Sequence, residues 1–194
     1  MANTKPSSSF LGITDANDGW VPIATSSASA ATSLEFTSDI DGTYDMYRIE
    51  GLFDQSVDGS AMELTVSHNN GSTYVTSNYS SIMYGYSANN QNKTFNDSAD
   101  SALRVTTNFD TDVAQNAWFQ VDLLNPGATG DIKLFRLEAL MFDNTTTNSQ
   151  TRYFGGGRLL SGDPVTNTIN AIKLTQTPSG NFTGNAWLFG KNRT

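Results

Sequence analysis

From Leu34 to the carboxyl end, apolar and polar residues alternate one by one along most of the chain. Met62, Leu64 and Val66 are separated by polar residues, and residues 134–141 repeat the same spacing. A period of two places successive side chains on opposite faces of a β-strand. The pattern therefore predicts strands, and no segment has the sustained 3.6-residue period of an amphipathic helix.

The chain is predicted to hold about ten short strands, separated by turn-forming pairs such as Asp58-Gly59 and Asn70-Gly71. The predicted strands are Val21–Ala24, Leu34–Phe36, Met46–Phe53, Met62–His68, Ser81–Tyr86, Leu103–Thr107, Phe119–Leu123, Leu134–Met141, Arg152–Leu160, Thr168–Thr175 and Asn185–Gly190. Strands at this spacing, without crossover helices, indicate two packed antiparallel layers. We predict an all-β fold, a single antiparallel β-sandwich of jelly-roll-like topology, over residues 20–194.

Two segments depart from the alternation. Residues 1–19 form an amino-terminal arm in which Phe10, Leu11 and Ile13 are an isolated apolar group. We interpret this group as the contact of an assembly arm that becomes ordered on a neighbouring subunit; the alternative is an arm that covers its own sandwich. Residues 25–33 consist of Ser, Thr and Ala and are predicted to be a loop.

The charge and composition of the chain exclude several classes of partner and of functional site. The chain of 194 residues carries 19 acidic and 11 basic residues, a formal net charge of −8, so phosphates are repelled and no nucleic-acid partner is expected. No run of about 18 apolar residues occurs, and no membrane insertion is expected. Because the sequence lacks cysteine, thiolate metal sites and cysteine nucleophiles are excluded.

The sequence offers little for catalysis, and we expect no enzymatic activity. His68 is the only histidine and no G-x-S-x-G motif is present, which argues against a Ser–His–Asp triad. Nothing selects a glycosidase pair among the four glutamates, Glu35, Glu50, Glu63 and Glu138. The run Gly155–Gly157 lacks the lysine of a phosphate-binding loop and is interpreted as a bulge or a close backbone approach.

An acidic segment has the spacing of calcium ligands. Asp39, Asp41 and Asp45 precede Glu50, which is the twelfth residue from Asp39. Tyr44 stands where a calcium loop of the EF-hand type requires glycine, and the flanks are predicted strands. We interpret the segment as an acidic turn and expect no cofactor, with incidental calcium binding left open.

Tyrosine and amide side chains are concentrated between Tyr74 and Asn92. Aromatic faces and amides together suit sugars, and the same composition suits a protein contact surface. The predicted glycan or partner contacts are Tyr79, Tyr84, Tyr86, Asn89 and Asn90. The three tryptophans, Trp20, Trp118 and Trp187, are expected in the core.

Five segments together resemble a known family. They are Tyr44–Ile49, Ser67–Tyr74, Ile169–Leu174, Ser179–Gly184 and Trp187–Gly190. Their motifs, YD-x-Y-x-I, N-N-G-S-T-Y and SGN-x-x-G-x-x-x-L-x-G, are similar to those of tailed-bacteriophage virion structural proteins. The resemblance covers roughly residues 20–190 and implies a β-sandwich on the particle surface, with no catalytic residues to carry over.

The expected function follows from this resemblance. It implies a non-enzymatic virion structural protein, a compact capsid decoration, knob or tail adaptor assembled in the host bacterial cytoplasm. The expected partners are other capsid or tail proteins and further copies of the chain, with a trimer favoured. The alternative is a glycan-binding receptor-recognition module of a tail fibre or tip, whose partner is a host surface glycan.

Overall fold

A computed structural model describes residues 19–88, 92–107, 109, 117–130, 132–143, 149–159 and 167–192. The predicted arm contacts Phe10, Leu11 and Ile13 lie outside the described residues, as do Asn89 and Asn90.

The described residues form twelve strands, and no helix occurs among them. The strands are β1 (Val21–Ala31), β2 (Ser33–Phe36), β3 (Met46–Gln55), β4 (Ala61–Ser67), β5 (Tyr79–Ser87), β6 (Asn92–Asp100), β7 (Leu103–Arg104), β8 (Ala117–Leu124), β9 (Lys133–Asp143), β10 (Ser149–Leu159), β11 (Ala171–Thr177) and β12 (Phe182–Lys191). They build an eight-stranded sheet of order β1-β12-β3-β8-β9-β10-β5-β6 and a four-stranded sheet of order β2-β11-β4-β7.

The strand pairs are nested along the chain as in a jelly roll. All are antiparallel: β1 pairs with β12 and β3 with β8 in the large sheet, while β2 pairs with β11 and β4 with β7 in the small sheet. Two hairpins are inserted into this frame, β5–β6 between β4 and β7, and β9–β10 between β8 and β11. Both join the large sheet beyond β8. The prediction of an antiparallel, jelly-roll-like β-sandwich is confirmed.

The four strands β9, β10, β5 and β6 are called the extension below. They widen the large sheet well past the width of the small one. Gly155 and Gly157 allow the close packing of this region: a Cβ on Gly155 would clash with the backbone carbonyl of Ile82, and one on Gly157 with the side chain of Leu103. The strand pairing on both sides of β10 is unbroken, so the glycine run marks a close approach and not a bulge.

The core lies between the two sheets. Tyr47, Ile49 and Phe53 point inward from β3, and Leu64 and Val66 face them from β4, all without solvent exposure. The Phe53 ring also packs edge-on against Phe182, with centroids 5.1 Å apart. Full burial of each such side chain contributes roughly 1.5–3 kcal/mol, which accounts for the strict alternation in β3.

Strand β4 is buried on both faces, although the alternation of apolar and polar residues from Met62 to His68 predicts a strand with only one buried face. Its polar side chains are covered individually. Glu63 accepts a hydrogen bond of 2.7 Å from the Thr177 hydroxyl, and Thr65 lies beside Lys173, whose Nζ is 4.1 Å from the centre of the Tyr74 ring. Period two indicates a strand here but does not indicate that the second face is open.

Two edge strands of the large sheet depart from the sequence prediction. Residues 25–33, predicted to be a loop, belong almost entirely to β1 and β2. The register of β1 is irregular between Ala28 and Ala31, where Ala30 has a φ of 48°. Strand β6 was not predicted, because its residues are mostly polar. An edge strand has one neighbour and needs little apolar surface, which explains both errors.

Candidate functional site

The face of the large sheet that points away from the small sheet is called the outer face. With the exception of Ile132, every large apolar side chain that is strongly exposed in the described residues projects from it. These side chains are Leu52 on β3, Leu134 and Leu140 on β9, Phe154 on β10, and Ile82, Tyr84 and Tyr86 on β5. Isolated exposed apolar residues are ordinary, but their concentration on one face indicates a contact surface.

Three of these residues form the aromatic cluster, Tyr84, Tyr86 and Phe154. Phe154 is the direct cross-strand partner of Tyr84, and its ring stacks on Tyr86 with centroids 6.2 Å apart and planes 25° apart. Tyr84 and Tyr86 are 50% and 61% exposed and Phe154 is 44% exposed. The rings are therefore held at fixed positions by the sheet while their faces remain accessible.

Tyr79 lies on the other face of β5, and its predicted role as a contact residue is wrong. It is fully buried, and its hydroxyl accepts a hydrogen bond of 2.9 Å from the Val66 amide. Burial raises the pKa of the Tyr79 phenol. Successive residues of a strand project from opposite faces of the sheet, so the face follows from the numbering. Tyr79 projects inward with the odd-numbered residues of β5, and Tyr84 and Tyr86 project outward with the even-numbered ones.

A groove opens beside the aromatic cluster, above Gly156 on β10. Gly156 faces outward, and the nearest atom to a Cβ built there is the Phe135 carbonyl oxygen, 3.1 Å away. The missing side chain leaves an open groove of about 310 Å³. Its lining includes Ile82, Leu134, Ser80, Asn96 and Arg158. The sequence predicts neither this groove nor a role for Phe154; the glycine run next to Phe154 indicates only a bulge or a close backbone approach.

A charge network crosses the outer face at the base of the extension. The Asp122 carboxylate is fully buried and accepts two hydrogen bonds from Arg48, Nε at 2.6 Å and Nη2 at 3.1 Å, and a further one from Arg136. The Arg48 guanidinium also stacks 4.1 Å above the Trp20 ring. Since each charge is paired within the sheet, the network ties β3, β8 and β9 together.

The expectation that the tryptophans belong to the core is wrong. All three are half-buried, and Trp118 and Trp187 project from the outer face. Trp118 is the direct neighbour of Leu52 on one side and Leu140 on the other. These three residues form a continuous apolar row across β3, β8 and β9, called the apolar row below.

The acidic segment before β3 is a turn held by its own hydrogen bonds. Asp41 Oδ1 accepts from the Thr43 amide at 3.0 Å and from the Tyr47 hydroxyl at 3.1 Å. The hydrogen bonds from Thr43 lower the pKa of Asp41. Within the described parts of the chain, no group of three or more His, Asp or Glu side chains is placed to hold a metal ion.

A helix capable of spanning a bilayer does not occur among the described residues.

Comparisons with known proteins do not assign the chain to a family. No family model matches the chain, and no curated protein matches it. Among solved structures, a chain of infectious bursal disease virus, Gt strain, is 11% identical with a TM-score of 0.15, and one of the VP2 subviral particle of the same virus is 12% identical with a TM-score of 0.14. The alignments cover 90% and 93% of this chain but only 42% and 43% of the viral chains. At such scores neither likeness bears on fold or function.

Proposed function

We propose that this chain is a non-enzymatic structural component of a bacteriophage virion, a compact protein of the particle surface that acts through protein–protein contacts. The observation that carries the proposal is the concentration of exposed large apolar side chains on the outer face. The motif resemblance to phage virion proteins and the jelly-roll fold, which viral capsid domains also use, support it. Fold alone does not determine function, so the surface is the stronger argument.

The apolar row is the surface we assign to assembly. Leu52, Trp118 and Leu140 are adjacent in register and lie on strands in the middle of the large sheet, whose other face packs on the core. Side chains on strands that are paired on both sides lose little further backbone entropy when a partner covers them. The occupant we propose is a neighbouring virion protein, either another copy of this chain or a capsid or tail subunit.

Incorporation into particles tests this assignment. A phage carrying Leu52→Ser and Leu140→Ser is expected to yield particles with much less of the protein, while the purified variant keeps its melting temperature within a few degrees. Ile132→Ser is the matched control, because Ile132 is also exposed but lies outside the apolar row. Normal incorporation of the double variant would refute the assembly role of this row.

A second function, recognition of a host surface glycan, is favoured by a separate observation. The aromatic cluster is accessible, and the cross-strand partners of Tyr84 and Tyr86 on the edge strand are Thr94 and Asn92. Rings of this kind stack on sugars while hydroxyl and amide groups exchange hydrogen bonds with sugar hydroxyls. Tyr84→Ala is expected to weaken attachment to host cells at an unchanged melting temperature; unchanged attachment would remove this candidate.

A further inference from the structure

We propose that the groove above Gly156 binds the carboxylate of an acidic polysaccharide whose neighbouring sugar rings stack on the aromatic cluster. The proposal names the ligand class for the glycan-binding candidate and rests on it. Four features carry it: the line of groups along β10, the charge of Arg158, the neutral polar lining of the groove, and the charge of the chain as a whole.

The line of groups follows from the pleat of β10. Phe154, Gly156 and Arg158 are alternate residues of one strand, so they project from the outer face in succession. Alternate residues are separated by roughly 6.5–7 Å, which places an aromatic ring, an open floor and a guanidinium along one direction. An extended saccharide can therefore stack one sugar on the Phe154 ring, lie over Gly156, and bring the carboxylate of the next sugar to the Arg158 guanidinium.

Among the arginines that the structure describes on the outer face of the extension, Arg158 is the one whose charge is not used by a described carboxylate. The other arginines on the outer face of the extension are used within the sheet: Arg136 donates to Asp122, and Arg152 Nη2 donates to Glu138 at 2.6 Å. In the described part of the chain no carboxylate is paired with Arg158. A guanidinium beside apolar side chains such as Ile82 binds a carboxylate well, because its fork of donors matches the two oxygens.

The rest of the groove is suited to sugar hydroxyls. Ser80 and Asn96 supply neutral donors and acceptors, and no Asp or Glu belongs to the described lining. This arrangement is unusual for a chain whose net charge is −8 and whose acidic residues outnumber the basic ones by 19 to 11. Long-range repulsion disfavours anions over most of such a surface, so a locally cationic groove selects where an anionic ligand binds.

Binding measurements with matched saccharides test the proposal. The probes are oligogalacturonate and oligosialic acid, each compared with its methyl ester, which keeps the sugar rings and removes the charge. We expect at least one acid to bind roughly tenfold or more tightly than its ester, with an affinity that falls as salt is added. Arg158→Gln is expected to reduce binding of the acid to the level of the ester. Lys191→Gln, the same loss of charge on a distant strand, is the control and is expected to change nothing.

The outcomes separate this proposal from the glycan-binding function itself. Equal binding of acid and ester, unaffected by Arg158→Gln but weakened by Tyr84→Ala, would overturn the acidic-ligand proposal and leave glycan binding standing. Binding of neither form, together with unchanged host attachment of Tyr84→Ala, would overturn both. If polyglutamate binds as tightly as the acids, with the same dependence on Arg158, the site recognises an acidic protein and the polysaccharide proposal is wrong.

Discussion

The rings of Tyr86 and Phe154 stack across two antiparallel strands, 6.2 Å between centroids, on the outer face of the large sheet. The contact is diagonal, because the direct cross-strand partner of Tyr86 is Arg152. Diagonal pairs of this kind are within reach for aromatic side chains. Both rings keep about half of their surface in solvent. The pair therefore adds little to the stability of the fold, but it makes this part of the surface apolar and aromatic.

The first prediction compares the stability cost of removing an exposed ring with that of removing a buried ring on the same strand. Phe154→Ala is expected to lower the free energy of unfolding by about 1 kcal/mol or less, because an exposed cross-strand pair contributes little. Tyr153→Ala, which removes the adjacent but buried ring, is expected to cost about 3–5 kcal/mol. Urea denaturation of both variants measures the difference. Similar costs for the two would mean that Phe154 belongs to a packed core.

The second prediction concerns two neighbouring glycines of β10. A Cβ on Gly155 would meet the backbone of Ile82 and Met83 in the adjacent strand, which cannot move cheaply. Gly155→Ala should therefore destabilise the protein by about 3 kcal/mol or more. Gly156→Ala meets one carbonyl oxygen at 3.1 Å and is expected to stay within about 1 kcal/mol of the native protein. Thermal unfolding of the two variants checks the order, and a reversed order would contradict the packing of the extension.

The third prediction compares two ion pairs of the outer face. Asp122 is fully buried between Arg48 and Arg136, so Asp122→Asn leaves two guanidinium groups without their carboxylate. We expect a loss of about 2–4 kcal/mol. Glu138→Gln breaks the pair with Arg152, whose side chain is 64% exposed, and is expected to cost less than about 1 kcal/mol. Chemical denaturation at moderate salt measures both, and equal losses would argue against the Asp122 network as a tie between strands.

The fourth prediction is a dependence of stability on alkaline pH. Burial raises the pKa of Tyr79 above that of a tyrosine in the unfolded chain, about 10, so the folded state favours the neutral phenol. The stabilisation from this difference is complete below pH 10 or so and is lost as the pH rises further. Burial also raises the pKa of Tyr47, and burial with the nearby Glu35 charge raises that of Tyr74, which adds to the loss.

Tyr79→Phe isolates the contribution of one phenol. At neutral pH it is expected to cost about 1–2 kcal/mol, because the Val66 amide loses its acceptor. Between about pH 10 and 12 its melting temperature should fall less steeply than that of the native protein. Parallel slopes for the two proteins would show that Tyr79 does not ionise on unfolding in this range.

The sequence was sufficient for the strands and for the sandwich, because a period of two is a local property that each strand carries by itself. It was insufficient at the edges, where β6 and the second half of β1 need only one partner and carry few apolar residues. It also missed the second buried face of β4, since Glu63 and Thr65 are polar side chains covered by particular contacts. Such contacts depend on residues distant in sequence, and alternation does not report them.

The candidate site was predictable only in part. Tyr84 and Tyr86 could be selected because they lie two residues apart within one alternating strand. Phe154 joins them through the pairing of β10 with β5, strands from two separate inserted hairpins, and nothing in either hairpin specifies that pairing. The groove depends on the same register, because Gly156 creates an opening only where Ile82 and Leu134 flank it.

The central claim is the proposal that this chain is a structural component of a bacteriophage virion. Quantitative mass spectrometry of purified particles of a phage that carries its gene tests that claim most directly. If the chain is a structural component of the virion, its peptides will copurify with the particles through density-gradient centrifugation, at a fixed stoichiometry to the major capsid protein. That stoichiometry will be high for a capsid decoration protein and low for a tail adaptor or knob. Absence of the chain from infectious particles, with the protein present only in the lysed host, would contradict the account.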